Sequence, residues 1–436
     1  MPKALIPAAA MLLIAASPAP DGLSRAEKTI ERTVDTRYEE SVALLQKLVD
    51  QNSGTLNLEG VTAVGAMMRA ELEALGFTVS WKPMAEVDRA GHLIAVHRGR
   101  PGRKRILLIG HLDTVFEPSS PFQKFIRKGD MAEGPGAGDD KGGMVVMVAA
   151  LHAMKAAGTL DGANIEIVLT GDEEDAGSPA TIARADLIAA GKRADVALDF
   201  EGLVKQNGRD MGSVARRSVT DWTLTATGKT GHSSLIFTAD QGDGAINELA
   251  RILAAFRKDL PEPNLTFNPG VIAGGSRAAI DASGSATAAG KTNIIAGTAI
   301  AIGDFRTLSE EQTRRVRAKM EAIVAAHAPG TDAKISFGEG YPAMAPTEGN
   351  KALLAKLNAV NRDLGLAEMA ALDPLKRGAG DISFVAADVD SLAGLGTFST
   401  GDHAPGETVD LDSIRRQAKR AAILISRLAG ERGEGR

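Results

Sequence analysis

Arg105-Ile106-Leu107-Leu108-Ile109-Gly110-His111-Leu112-Asp113-Thr114-Val115 is an apolar run that ends in a histidine and an aspartate two residues apart. Four consecutive apolar residues, Ile106 to Ile109, suit a strand covered on both faces. Side chains alternate along an extended chain, so His111 and Asp113 point to the same side if that conformation continues. A carboxylate beside an imidazole fixes its tautomer and raises its basicity, which is how metal-binding histidines are usually supported. A buried strand needs no such pair at its tip, so the pair points to a site.

Working outward, helical periodicity covers residues 41–49 and 61–75, and Gly76 suits a helix stop. Short strands read over 77–81 and 93–96. Beyond the opening run come an apolar helix over 142–157 and strands over 164–170 and 196–200. Strands alternating with helices imply an α/β domain with a mostly parallel sheet. The pattern changes near Gly212. Strands at 221–227, 266–273, 294–305 and 334–337, with helices at 244–260 and 309–327, follow the β-α-β-β-α-β order of a small two-layer α+β sandwich. From about Tyr341 helices and short strands resume, ending in an amphipathic helix over 411–429. The expected organisation is a catalytic domain of residues 25–212 and 339–436, interrupted by a lid or dimerisation domain of residues 213–338. Within the lid, the Gly-, Ala- and Ser-rich stretch 274–292 reads as a mobile loop.

Composition narrows the chemistry. A chain of 436 residues with 24% charged and 44% hydrophobic residues has the make-up of a soluble protein with a large core. A formal net charge of -5 leaves no polybasic footprint for nucleic acid. The absence of cysteine excludes disulfides, thiolate metal sites and a cysteine nucleophile. Any metal site must then use His, Asp and Glu, which favours zinc or a similar divalent ion. Lys3, an apolar stretch over 4–16 and small residues to Pro20 read as a secretory signal over residues 1–20, so a periplasmic or secreted protein is expected. That stretch is too short to span a membrane, and no other segment is a candidate.

Five islands of acid and histidine punctuate the α/β domain. After His111 and Asp113 comes Gly136-Ala137-Gly138-Asp139-Asp140-Lys141-Gly142-Gly143, just before the apolar helix, where an aspartate also serves as an ordinary N-cap. Thr170-Gly171-Asp172-Glu173-Glu174-Asp175 follows a strand. Four successive acids repel one another unless a cation offsets them or water screens them. Asp199-Phe200-Glu201 follows another strand, and Gly401-Asp402-His403 lies in a Gly-rich loop. Each island alone has a bland reading as cap, solvated loop or surface polar group. Together they fall where ligands bind, at the carboxyl edge of an open α/β sheet. Two histidines and several carboxylates there can hold two divalent ions, with one carboxylate bridging.

The ordered set His-x-Asp, Asp-Asp-Lys-Gly-Gly, Asp-Glu-Glu, Phe-Glu and a late Gly-x-His resembles the co-catalytic di-zinc carboxypeptidase and aminoacylase family, above all its glutamate carboxypeptidase-like members. The resemblance spans nearly the whole chain after the leader, lid included. It implies two zinc ions per chain, with cobalt or manganese as alternatives. His111 would bind one zinc, with Asp113 orienting the site. Asp139 would bridge, with Asp140 as the alternative. Glu173 would be the general base. Glu174 and His403 would hold the second zinc, and Glu201 would join His111 on the first, with Asp199 as the alternative. In the lid, His232 of Gly231-His232-Ser233-Ser234 would reach the active site of a partner in a homodimer and stabilise the oxyanion; its plain alternative is a surface turn. Asn293 and Arg306 would bind substrate, and Arg377 would line the pocket.

The function expected is that of a zinc-dependent exopeptidase of the carboxypeptidase type, cleaving an amide bond next to a free carboxylate. An N-acyl-amino-acid amidohydrolase would carry the same motifs, because they activate water without choosing the acyl side. A non-catalytic binding protein of the same fold is the rival of another class. It would be favoured by a missing base or ligand, and none is missing.

Overall fold

A computed structural model of the chain describes residues 22–433. The expected signal segment, residues 1–20, lies outside them.

The opening run forms the strand Arg105–His111, buried from Ile106 onward. It pairs in parallel with Asn164–Thr170 on one side and Val196–Asp199 on the other. Val196–Asp199 pairs in parallel with the short strand Ser391–Leu392. Arg89–His97 and then Thr78–Met84 add antiparallel strands beyond Asn164–Thr170, completing a six-stranded sheet. Ile106 and Leu108 face one core, shared with the helices Leu58–Leu75, Lys141–Ala156 and Leu411–Gly430. Leu107 and Ile109 face another, shared with Leu187, Ile382 and Val385. Covering on both faces explains why the run is apolar without alternation.

Close packing brings the helix Lys141–Ala156 onto the sheet edge that carries the islands. A Cβ on Gly143 would lie 2.0 Å from the carbonyl oxygen of Phe200, so only glycine allows this approach. The helix thereby sets Asp139 and Asp140, just before it, against the ends of Arg105–His111 and Val196–Asp199.

The strands Thr220–Gly228, Thr266–Gly275, Thr298–Arg306 and Thr331–Phe337 form a separate antiparallel sheet. Its order is second, third, first, fourth, with Thr266–Gly275 at one edge. The helices Ala245–Asp259 and Glu310–Ala325 supply Ile252, Phe256, Val316 and Met320 to a core with Trp222, Leu224 and Phe305. This core shares no residue with the main one. The observed class is thus the one expected, a mostly parallel α/β domain interrupted by a smaller α+β sandwich. Two connectors join the parts, and they bridge each other at Arg216–Met344 and Val219–Tyr341.

Two readings of the sequence need correction. The stretch expected to be a mobile loop is a hairpin, Arg277–Ile280 against Ala286–Ala289. Its turn is held by Asp281, whose Oδ1 accepts from the backbone N–H of Ser283 and Ser285, both at 2.9 Å. No buried face imposes alternation on it, so its composition looks like a loop. The helix Arg25–Thr36 was not anticipated, although Ser24 and Glu27 form a capping box at its start.

Candidate metal centre and active site

His111 ends its strand, and Asp113 follows on the same side, as alternation requires. His111 Nδ1 lies 3.3 Å from Asp113 Oδ1 and 3.1 Å from the Asp113 carbonyl oxygen. The buried Asp113 carboxylate also accepts from Thr55 Oγ1 at 2.6 Å and from the backbone N–H of Glu173 and Glu174 at 3.0 and 3.1 Å. One side chain therefore orients the imidazole and holds the acidic loop after Asn164–Thr170.

Asp139 spans the two histidines. Its Oδ1 is 3.0 Å from His111 Nε2 and its Oδ2 is 3.1 Å from His403 Nε2. His403 Nε2 is also 3.2 Å from Glu174 Oε2. Asp140 turns the other way. Its Oδ2 accepts from the His111 backbone N–H at 3.3 Å, and its Oδ1 is buried without a hydrogen-bond partner. Glu407 fastens the Gly-rich loop by accepting from the N–H groups of Gly136, Gly138 and Asp139 at 3.2, 2.7 and 3.1 Å. His403 sits in left-handed backbone at φ 64°, a conformation a non-glycine residue holds only where its surroundings impose it.

Glu201 completes the cluster. Its Oε2 lies 2.9 Å from Arg216 Nη1 and 3.1 Å from Arg377 Nη2. Asp199, its alternative in the sequence, shares Arg216 Nη1 at 3.3 Å and accepts from the Glu201 N–H at 3.4 Å, and it is absent from both groups of converging ligand atoms. Ligand atoms of His111, Asp139 and Glu174 all lie within 4.8 Å of one another, as do those of His111, Glu173 and Glu201. The two groups share His111.

The charges make the donor set costly without a cation. Burial, then the charge on Glu201, pushes the Glu173 carboxyl well above the usual range. Burial, then the charge on Asp139, pushes Glu174 up to about 10. Burial also opposes ionisation of Asp139, but hydrogen bonds from His111 and His403 outweigh it and hold its carboxyl well below the usual range. Burial works against a charged His111 too, yet Asp113 and Asp139 raise its pKa well above that of a free imidazole. Carboxylates and imidazoles converging this closely, most of them out of water, fit divalent cations. A consequence can be measured. Protons compete with a cation for Glu174 below its raised pKa, so the cation's gain in stability is smallest in acid and grows as pH rises towards 10. The melting temperature of zinc-loaded minus chelator-treated protein should therefore increase steadily from pH 5 to pH 8. A difference that shrinks over that range would contradict the donor set.

The lid residues are placed differently. His232 is exposed in its turn, with Nδ1 2.8 Å from Ser234 Oγ, and its backbone bridges Ile294. Asn293 lies in the separate segment bridged to that turn, its carbonyl accepting from the Ser233 N–H at 2.9 Å. Arg306 pairs with Asp304 at 3.0 Å, and its Nη1 would lie 3.6 Å from a Cβ on Gly378, beside Arg377. The structure thus gathers His111, Asp113, Asp139, Glu173, Glu174, Glu201, His403 and Arg377. It brings Arg306 to the adjoining segment and leaves His232 and Asn293 on the lid. Sequence reasoning missed Arg216, Tyr341 and the buried Arg184, which bonds Asp172 at 2.6 Å and Asp381 at 2.7 Å. None of these three stands in a motif or follows a period. Only the acids they pair with carried a signal.

Residues 107–427 match the family described as Peptidase family M20/M25/M40. The chain belongs to peptidase family M20/M25/M40. It is 29% identical over 398 residues to carboxypeptidase G2 of Pseudomonas sp. (strain RS-16), covering 88% of each chain. It is 25% identical over 389 residues to succinyl-diaminopimelate desuccinylase of Variovorax paradoxus (strain S110), covering 86% of this chain and 94% of that one. In fold it is similar to an aminopeptidase of Bacillus cereus ATCC 10987, with a TM-score of 0.69 and 19% identity over 90% of this chain and 99% of that one. It is also similar to a Bacillus subtilis protein described as a dinuclear metal-binding peptidase of family M20, with a TM-score of 0.63 and 15% identity over 91% of this chain and 99% of that one. As a member of this family the chain is a hydrolase of the metallopeptidase and amidohydrolase type.

Proposed function

We propose that this family member is an exopeptidase of the carboxypeptidase type that works with two divalent ions, zinc first and cobalt or manganese as alternatives. The observation that carries the reading is the Asp139 carboxylate spanning His111 and His403, with Glu174 beside His403 and Glu201 beside His111. His111 and Glu201 would hold one ion, Glu174 and His403 the other, and Asp139 both. Ions so held supply Lewis acidity and lower the pKa of water. Glu173 takes a proton as water attacks the amide carbonyl and gives it to the leaving amine. Burial and the nearby Glu201 raise its proton affinity, which suits it to the first task. Arg306, whose guanidinium lies near Gly378, and Arg377, held on Glu201, would present guanidinium groups for a substrate carboxylate, with Asn293 assisting from the lid.

His232 would act across a homodimer. A second copy has a surface to sit on: Thr266–Gly275 is an edge strand, its Ile272 is exposed, and Ile246 is exposed on the neighbouring helix. No helix among the described residues is long and apolar enough to cross a membrane. The leader read in residues 1–20 would place the mature chain in the periplasm or outside the cell. Mass analysis of the exported protein should find that segment removed, and an intact N-terminus on cytoplasmic protein would overturn the placement.

The deciding assay offers metal-loaded protein a panel of peptides with varied C-terminal residues beside N-acetyl and N-succinyl amino acids. Release of C-terminal amino acids, lost on chelation and restored by zinc, is the expected outcome. Turnover of the N-acyl amino acids alone would favour the amidohydrolase reading, which the desuccinylase relatives support. Less than one ion bound per chain, with no hydrolysis anywhere in the panel, would leave a non-catalytic binding protein.

A further inference from the structure

The connectors between the two domains carry side chains that end on the acidic residues of the site, one at a carboxylate and one at a backbone carbonyl. Arg216 and Tyr341 lie on opposite connectors, which bridge each other at Arg216–Met344 and Val219–Tyr341. The Arg216 guanidinium is buried and spends every nitrogen. Nε donates to the Gly378 carbonyl at 2.9 Å, Nη2 to the Ala379 carbonyl, and Nη1 reaches Glu201 Oε2 at 2.9 Å and Asp199 Oδ2 at 3.3 Å. Tyr341 donates its hydroxyl hydrogen to the Glu173 carbonyl oxygen at 2.9 Å and accepts from Arg184 Nη2 at 2.9 Å. Its ring packs edge-on to Phe384, with centroids 4.9 Å apart.

These contacts fix the acids at particular points. The peptide groups on both sides of Glu173 are pinned, its N–H by Asp113 at 3.0 Å and its carbonyl by Tyr341. Its side chain therefore leaves from a backbone with little freedom. Glu201 is held by one arm of the Arg216 guanidinium, Nη1, whose direction is fixed because Nε and Nη2 are anchored on the Gly378 and Ala379 carbonyls; an ammonium could not be aimed in this way. We propose that Arg216 and Tyr341 are positioning residues, which set Glu201 and Glu173 from the connectors and so tie the geometry of the catalytic centre to the seating of the lid. Neither touches the reacting atoms; each acts through an acid that does. The proposal rests on the hydrolase reading above for its kinetic arm and on metal binding for its other arm.

Tyr341→Phe keeps the ring on Phe384 and removes only the hydroxyl. The hydroxyl takes two hydrogen bonds with it, the one given to the Glu173 carbonyl and the one accepted from Arg184, and freeing the Glu173 backbone should lower kcat about five- to tenfold, with KM and metal content unchanged. Arg216→Lys keeps the charge and loses the fork. It should weaken the affinity for one zinc equivalent about tenfold in a chelator-competition titration, while circular dichroism shows a folded chain. Arg216→Ala should weaken it further. A merely structural role would lower the melting temperature and leave kcat per folded molecule and zinc affinity as in the wild type, and that outcome overturns the proposal. Should Arg216→Lys fail to fold, Tyr341→Phe decides alone. A wild type that binds zinc but hydrolyses nothing would remove the function reading. The shift in zinc affinity would then still test the positioning role.

Discussion

Glu173→Gln should keep its zinc and lose hydrolysis by about 10²- to 10⁴-fold, the range a positioned acid–base group contributes. The amide has the shape of the carboxyl, and the bonds that seat residue 173 come from its backbone, to Asp113 and Tyr341, so the loop should hold its place. What disappears is a group able to take a proton and return it. KM should change little, because the loss falls on the chemical step. The variant also resolves a point of geometry. A Glu173 oxygen lies within 4.8 Å of ligand atoms of His111 and Glu201. If one zinc equivalent leaves together with turnover, Glu173 is a ligand and some other group is the base.

The second large effect separates two neighbours. Asp139→Asn should lower the affinity for both ions and reduce hydrolysis by more than about 100-fold, because even supporting partners of metal ligands contribute 10- to 100-fold. Asp140→Asn should stay within a few-fold of the wild type. Burial pushes the Asp140 carboxyl well above its usual range, with His111 opposing and Asp139 adding to the rise, so the charge that asparagine removes is one the site disfavours. An asparagine oxygen can accept from the His111 N–H as the carboxyl oxygen does. Zinc content measured by atomic emission, beside initial rates, reads both variants. Loss of zinc in Asp140→Asn with retention in Asp139→Asn would exchange their assignments.

That pair marks how far the sequence could be read. Strand ends followed by acids are local features, so the catalytic edge of the sheet was legible from runs such as Ile106–Ile109 and from the residues that follow them. Which of two adjacent aspartates faces inward depends on how the loop is hung, and the hanger is Glu407, hundreds of residues away. The preference for Glu201 over Asp199 likewise depends on where Arg216 and Arg377 arrive. Arg184, Arg216 and Tyr341 were illegible for the same reason. A buried arginine is defined by its acids, and those are brought to it only by the finished fold. The lid hairpin escaped for a simpler reason: Ala286–Ala289 is exposed on both faces and its partner strand is at most half-buried, so neither has a core to record in apolar residues.

The interrupted layout also sets an order of events for a growing chain. Ser391–Leu392 closes the edge of the central sheet beside Val196–Asp199, and Leu411–Gly430 lies in the same core as Lys141–Ala156. His403 and Glu407 come from between those two late elements. A ribosome delivers Asp139, Glu173 and Glu201 long before the imidazole and the loop anchor that complete their surroundings. Until then the acids repel one another without their second histidine. A chain truncated before His403 would retain His111 and most of the carboxylates, yet lack the Asp139–His403 contact. The centre is finished only after the chain has been made past His403 and Glu407, long after its acids have emerged.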